Sequence, residues 1–274
     1  MPGAPDRRVA KTPDGASISY RLRVGGGGQR LLLLHPLAMD LDFWDGVAGQ
    51  LGDLDILTVD LRGHGQSSPI RGSHTADDYA EDLTSVMSDI GWESAYVAGA
   101  SMGGCVAIAL AGLHPDRVLG LGLIDTTDWY GPQAPADWEA RASKAMANGL
   151  ESLLAFQLPR WFSDGFREAG SPVIDRAVAT FLANDAQSYT AHCRMLGAFD
   201  GRSVLARLEC PARIIVGAED YATPTAMAEA MLGRLRHAEL CILEQVRHFT
   251  PLEIPDAVAA QLRLLCTSSS ATSD

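Results

Sequence analysis

The sequence has no run of roughly 18 apolar residues, so nothing in it reads as a bilayer-spanning helix. Met1 to Lys11 lacks the apolar stretch of a signal peptide, and a cytoplasmic protein is expected. There is no basic run, and the formal charge is −12. That excludes the usual electrostatics of nucleic-acid or anionic-membrane binding, and the acidic surface reads as solubilising. No C-x-x-C occurs. The five cysteines are an odd number at irregular spacing, as expected of reduced, mostly buried thiols, with Cys105 in core packing. Gly25 to Gly28 is glycine-rich, but no G-K-[ST] follows and no dinucleotide fingerprint fits, so it reads as a loop. There is no internal repeat.

What is present suits a large α/β domain: 274 residues, 47% of them hydrophobic. Residues 8–11 and 17–22 flank the turn Thr12-Pro13-Asp14-Gly15 and predict a hairpin. Leu31-Leu32-Leu33-Leu34, Ile56-Leu57-Thr58-Val59, Ala95-Tyr96-Val97-Ala98, the run 118–124, Arg213-Ile214-Ile215-Val216 and the run 239–243 read as strands. Helical segments are predicted around 43–51, 77–90, 105–110, 224–235 and 255–266. Strands alternating with helices predict a mostly parallel sheet with right-handed crossovers. Residues 129–198 break the pattern. They have no strand-like run, many aromatics and helical segments punctuated by Pro and Gly. The expected organisation is a core of residues 1–128 and 199–274 with a helical cap at 129–198. The Ser/Thr-rich end from Thr267 to Asp274 reads as disordered.

Gly99-Ala100-Ser101-Met102-Gly103 lies between an apolar strand and an apolar helix. Strand, G-x-S-x-G, helix is the context of a nucleophile elbow, which exposes a serine hydroxyl at a helix N-terminus. A serine needs a base, and the base needs a carboxylate to fix its tautomer. His248 follows the last strand and a short loop, at the sheet edge where the elbow also lies. After the strand 213–216, Glu219 and Asp220 offer carboxylates; Asp220 is preferred, and Asp125 after the strand ending at Ile124 competes. The amides of Met102 and of Leu37, after Pro36 which has no N–H, are the candidate oxyanion donors.

With Asp60-Leu61-Arg62-Gly63-His64-Gly65-Gln66-Ser67 and Leu31 to Pro36, these stretches resemble the α/β-hydrolase superfamily over nearly the whole chain. Ala100 to Gly104, His114 to Val118 and Arg160-Trp161-Phe162 are most similar to the 3-oxoadipate enol-lactonase and carboxylesterase group. The resemblance implies an α/β-hydrolase fold with an eight-stranded-type, mostly parallel sheet flanked by helices. It implies a cofactor-free, metal-free serine hydrolase of small or medium esters or lactones. Ser101, Asp220 and His248 would be the triad, and Leu37 and Met102 the oxyanion hole. Arg62 and His64 would hold the loop beside the site. His35-Pro36 departs from the His-Gly of many relatives. A substrate carboxylate calls for an arginine, and Arg160 and Arg194 are candidates. Trp129, Trp161 and Phe43, with Met39, Trp44 and Phe181, are candidate pocket residues. A carbon–carbon hydrolase of vinylogous diketones and a catalytically silent ligand-binding protein are the alternatives. A monomer or homodimer is expected, with no nucleic-acid or membrane partner.

Overall fold

The computed structural model describes residues 7–267. Met1 to Asp6 and the tail beyond Thr267 lie outside the described residues, and with them most of the expected disordered end; Thr267 itself closes the last helix.

The elements follow in order. β1 (Arg8–Lys11), β2 (Ser17–Arg23) and β3 (Arg30–Leu34) lead to α1 (Asp45–Gln50) and β4 (Asp55–Val59). Next come α2 (Ala76–Asp89), β5 (Ala95–Ala100), α3 (Met102–Leu113) and β6 (Val118–Ile124). The chain then runs through α4 (Ala134–Asn148), α5 (Leu154–Trp161), α6 (Asp164–Glu168), α7 (Pro172–Leu182), α8 (Ala186–Ala198) and α9 (Arg202–Leu205). It returns as β7 (Ala212–Gly217), α10 (Thr225–Leu232), β8 (Ala238–Leu243), α11 (Thr250–Glu253) and α12 (Pro255–Thr267). The segment expected to be one helix at 43–51 is a 3-10 turn, Leu41–Trp44, followed by the short α1. Asp40 caps the turn, and glycines at 46 and 49 weaken further helix.

The strands form one sheet in the order β1-β2-β4-β3-β5-β6-β7-β8. The β1–β2 and β2–β4 pairs are antiparallel and the others parallel. The central strands are buried on both faces, and Leu31 to Leu34 are wholly inaccessible to water. α3 is apolar on all sides and runs through the core, as such a helix must. α2 is amphipathic and starts at a capping box in which Thr75 and Asp78 exchange hydrogen bonds.

The parallel register aligns the strand ends. Leu34 pairs with Val59 and Gly99, Ala100 with Ile124, and Ile124 with Ile215. The carboxyl ends of five strands are therefore level, and the segments after residues 34, 59, 100, 124 and 217 open on one edge. Helices α4 to α9 lie between β6 and β7, and one antiparallel bridge, Trp129–Asp200, joins the two ends of the stretch that holds α4 to α8. Among the described residues, no helix is long and apolar enough to cross a membrane. All five cysteines are free.

Candidate active site

Ser101 stands between β5 and α3 with φ 50° and ψ −115°, in the left-handed region that disfavours side chains. Close packing enforces this. A Cβ on Gly99 would come within 2.1 Å of the Gly103 carbonyl oxygen, and one on Gly103 within 2.3 Å of that of Leu34. Strand and helix can meet at this angle only because both positions lack a side chain. The Ser101 N–H donates to the Ile124 oxygen (2.9 Å), and Thr126 Oγ1 donates to the Ser101 oxygen (2.6 Å).

His248 Nε2 lies 3.0 Å from Ser101 Oγ, and its Nδ1 lies 2.7 Å from Asp220 Oδ2. All three side chains are buried. Asp220 also accepts from the amides of Ala222 (2.6 Å) and Thr223 (2.9 Å) and from Thr223 Oγ1 (2.8 Å). Burial alone would raise its pKa; the charge of His248 and these donors outweigh that and hold it below the ordinary carboxylate value. Glu219 turns away to Arg247 at 3.5 Å and is half-exposed. Asp125 does not touch His248. Its carboxylate accepts from the Gly217 amide (3.1 Å) and from the Thr250 amide (3.1 Å) and hydroxyl (2.6 Å). Burial and the Asp220 charge raise its pKa.

The His248 loop is anchored from above. The His248 and Phe249 amides donate to the Arg160 and Trp161 carbonyls at the end of α5 (3.4 and 2.9 Å). Arg247 Nη1 donates to the Pro159 and Phe162 carbonyls and to Asp164. Glu253 accepts from Ser163 and from the Arg247 amide.

The loop carrying Leu37 rests on buried imidazoles. His35 Nδ1 donates to the Pro36 oxygen (2.8 Å), and its Nε2 accepts the Leu61 N–H (3.0 Å). His64 Nε2 accepts the Ala38 N–H (3.0 Å), and Ala38 sits at φ 59°. His192 stacks on His64 with centroids 4.0 Å apart and donates from Nε2 to the Arg62 oxygen (3.0 Å). Burial lowers the pKa of all three, His192 to about 3. Arg62 is itself tied to Asp82 and Asp14.

A cavity of about 190 Å³ opens onto Ser101 and His248. Of the residues expected around it, Leu37, Arg160 and Trp161 line it, and Trp161 stacks on Phe249 at 5.0 Å. Phe43 does not. It is buried behind Phe249, edge-on to that ring and to Trp44, because its 3-10 turn faces the core. Trp129 does not either. It forms the bridge to Asp200 and lies under the Arg202 guanidinium at 3.9 Å, and Tyr130 faces the cavity in its place. Arg194 is an exposed partner of Glu139 (2.8 Å) away from the cavity. Met39, Trp44 and Phe181 are core residues.

Sequence reasoning missed Tyr130, Trp138, Arg141, Gln157 and Met227, which also line the cavity. Ala134, Asp137, Trp138 and Arg141 fall on one face of α4 at helical spacing, a signal that was available. Arg141 forms no ion pair among the described residues; its guanidinium lies over the rings of Trp138 (4.2 Å) and Phe156 (5.3 Å). Arg160 lies over Phe156 at 4.7 Å and donates to the Tyr221 oxygen. Burial, and then the positive charge of Arg141, lower the pKa of Arg160.

A serine on a strained elbow at the carboxyl edge of this eight-stranded sheet defines a class, and residues 29–255 match its family model: the chain belongs to the alpha/beta hydrolase fold family. It is 27% identical over 243 residues to 3-oxoadipate enol-lactonase 1 of Acinetobacter baylyi, covering 88% of this chain and 90% of that protein. It is 28% identical over 252 residues to the pimeloyl-[acyl-carrier protein] methyl ester esterase of Nitrosomonas europaea, covering 87% and 96%. The crystal structure of the enol-lactonase from Burkholderia xenovorans LB400 superposes with a TM-score of 0.90 at 27% identity, covering 95% of this chain and all of that one.

Proposed function

We propose that this chain hydrolyses a small ester or lactone bearing a carboxylate, through an acyl-enzyme on Ser101. The observation that carries the reading is the unbroken line from Ser101 Oγ through the His248 imidazole to Asp220, at 3.0 and 2.7 Å. His248 Nε2 takes the Ser101 proton as the oxygen attacks the carbonyl. Asp220 accepts from Nδ1–H and stabilises the imidazolium that forms. The amides of Leu37 and Met102 hold the oxyanion; Met102 opens α3, so its N–H has no intrahelical acceptor. His248 then protonates the leaving oxygen, and water repeats the sequence to free the acyl group.

Residues 129–198 act as the cap over this site. At about 190 Å³ the cavity is smaller than the roughly 300–1,000 Å³ of sites for drug-sized ligands, which favours a small substrate. Its walls carry two guanidiniums, Arg141 and Arg160, and the positive charge of Arg141 adds to burial in disfavouring that of Arg160. Asp137 also borders the cavity but is exposed. An anionic substrate group relieves that repulsion, whereas a neutral one leaves it in place. The enol-lactonase relatives support the same bond class.

Two esters of equal size, one ending in a carboxylate and one in its methyl ester, test the reading. Ser101→Ala is expected to lose about three or more decades of turnover on both and to escape fluorophosphonate labelling. Arg141→Ala is expected to lower kcat/KM about 10- to 100-fold for the anionic ester alone. Retained activity in Ser101→Ala overturns the mechanism. Equal losses on both esters in Arg141→Ala overturn the carboxylate preference.

A further inference from the structure

We propose that Asp125 is a positioning residue that holds the loops of the nucleophile, the acid and the base at fixed separation. The proposal rests on the reading of Ser101, His248 and Asp220 as the reacting set. Residues 124–126 touch all three loops. Ile124 accepts the Ser101 N–H, and Thr126 donates its hydroxyl to the Ser101 carbonyl, so both backbone polar groups of the nucleophile are fixed from this segment. Asp125 Oδ1 accepts the amide of Gly217, three residues before Asp220. Asp125 Oδ2 accepts both the amide and the hydroxyl of Thr250, two residues after His248. One carboxylate thus ties the acid loop to the base loop, and its backbone neighbours tie both to the nucleophile.

The conformation fits such a role. Asp125 sits at φ 44°, which a side-chain-bearing residue keeps only where its surroundings over-determine it. It is fully buried, and all three of its partners are donors. A carboxylate can satisfy them all; an asparagine cannot, because in either orientation its amide nitrogen faces a backbone N–H, of Gly217 or of Thr250. The acid and base loops also run in contact, since a Cβ on Gly217 would lie 2.4 Å from the Arg247 carbonyl oxygen. Asp125 touches no reacting atom, so its effect is on geometry.

The test compares Asp125→Asn, Thr250→Val and Thr250→Ser with the wild type and Ser101→Ala on p-nitrophenyl acetate. The working sites in each preparation are counted by fluorophosphonate titration. Asp125→Asn is expected to lower kcat per titrated site about 10- to 100-fold with KM changed less than about threefold. Thr250→Val is expected to show a smaller loss in the same sense, and Thr250→Ser to restore it. A merely structural role would lower the number of working sites and leave kcat per site unchanged, and that result overturns the proposal. If Asp125→Asn does not fold, the Thr250 pair decides by the same readout. If Ser101→Ala is inert while Asp125→Asn and Thr250→Val turn over normally, the positioning role alone falls. If Ser101→Ala is active, the reading beneath it falls.

Discussion

Lowering the pH is expected to destabilise this protein through its buried imidazoles. His35, His64 and His192 pack ring against ring under the Leu37 loop, each held neutral by burial. In the unfolded chain each protonates near its ordinary value of about 6.5. Below that pH the unfolded state binds more protons than the folded one, so stability rises with pH. It is fully present above about pH 6.5 and is lost as the pH falls toward the folded values, which for His192 means about 3. His192, with its folded value at about 3, contributes a slope of about 1.4 kcal/mol per pH unit below about pH 6.5 and so costs about 1.4 kcal/mol between pH 7.5 and 5.5, and His35 and His64 act in the same sense. Carboxyls raised by burial, Asp125 and Asp40 among them, act in the opposite sense. Asp40, at about 6, protonates first in the folded state and returns about 1 kcal/mol over the same interval. Urea unfolding at half-unit pH steps, followed by tryptophan fluorescence, gives the slope. His192→Gln keeps an N–H for the Arg62 carbonyl and removes one titrating group, so its slope should be flatter by about 1.4 kcal/mol per pH unit. Equal slopes in variant and wild type, or the imidazole NMR signals of His35, His64 and His192 themselves titrating near 6.5 in the folded protein, would refute the account.

Gly103→Ala drives a methyl into the Leu34 and His35 carbonyls of the adjacent strand, and is expected to cost more than about 4 kcal/mol; a melting temperature close to wild type would show that the elbow can relax. Arg194→Ala breaks an exposed pair with Glu139 and is expected to leave both the melting temperature and the ratio of anionic to neutral ester turnover unaltered. A shift in that ratio would place Arg194 in the substrate path.

The parts of the fold that the sequence made legible are those with local causes. Leu31 to Leu34 can only be a strand buried on both faces, and the apolar helix after Ser101 can only run through the core. His248 and Asp220 were readable as loop residues because parallel strands deliver their carboxyl ends to one edge. The choice of Asp220 over Asp125 was not local. Both follow strands of the same sheet, and only the side-chain directions after Ile124 and Gly217 bring one to the imidazole and the other to Thr250. The cavity wall was the least legible part. Phe43, Trp129 and Arg194 have the chemistry expected of pocket residues. Their direction depends on a 3-10 turn, on the two-ended closure of the helical insertion and on an ion pair with Glu139. Arg141 was overlooked because one cation on an amphipathic helix looks solvated until its helix is packed over the serine.

The backbone bonds from α5 to His248 and Phe249 restrict how a substrate can enter. A helix that merely roofed the site could lift away and leave the machinery below intact. Here the roof and the imidazole are stitched together, so raising α5 would pull His248 out of line with Ser101. On the proposed mechanism, admission and product escape that leave His248 in place use the cavity's other walls, α4 with Tyr130 or the side formed by Ala222 and Met227, and a molecule caught with α5 raised would be unable to turn over.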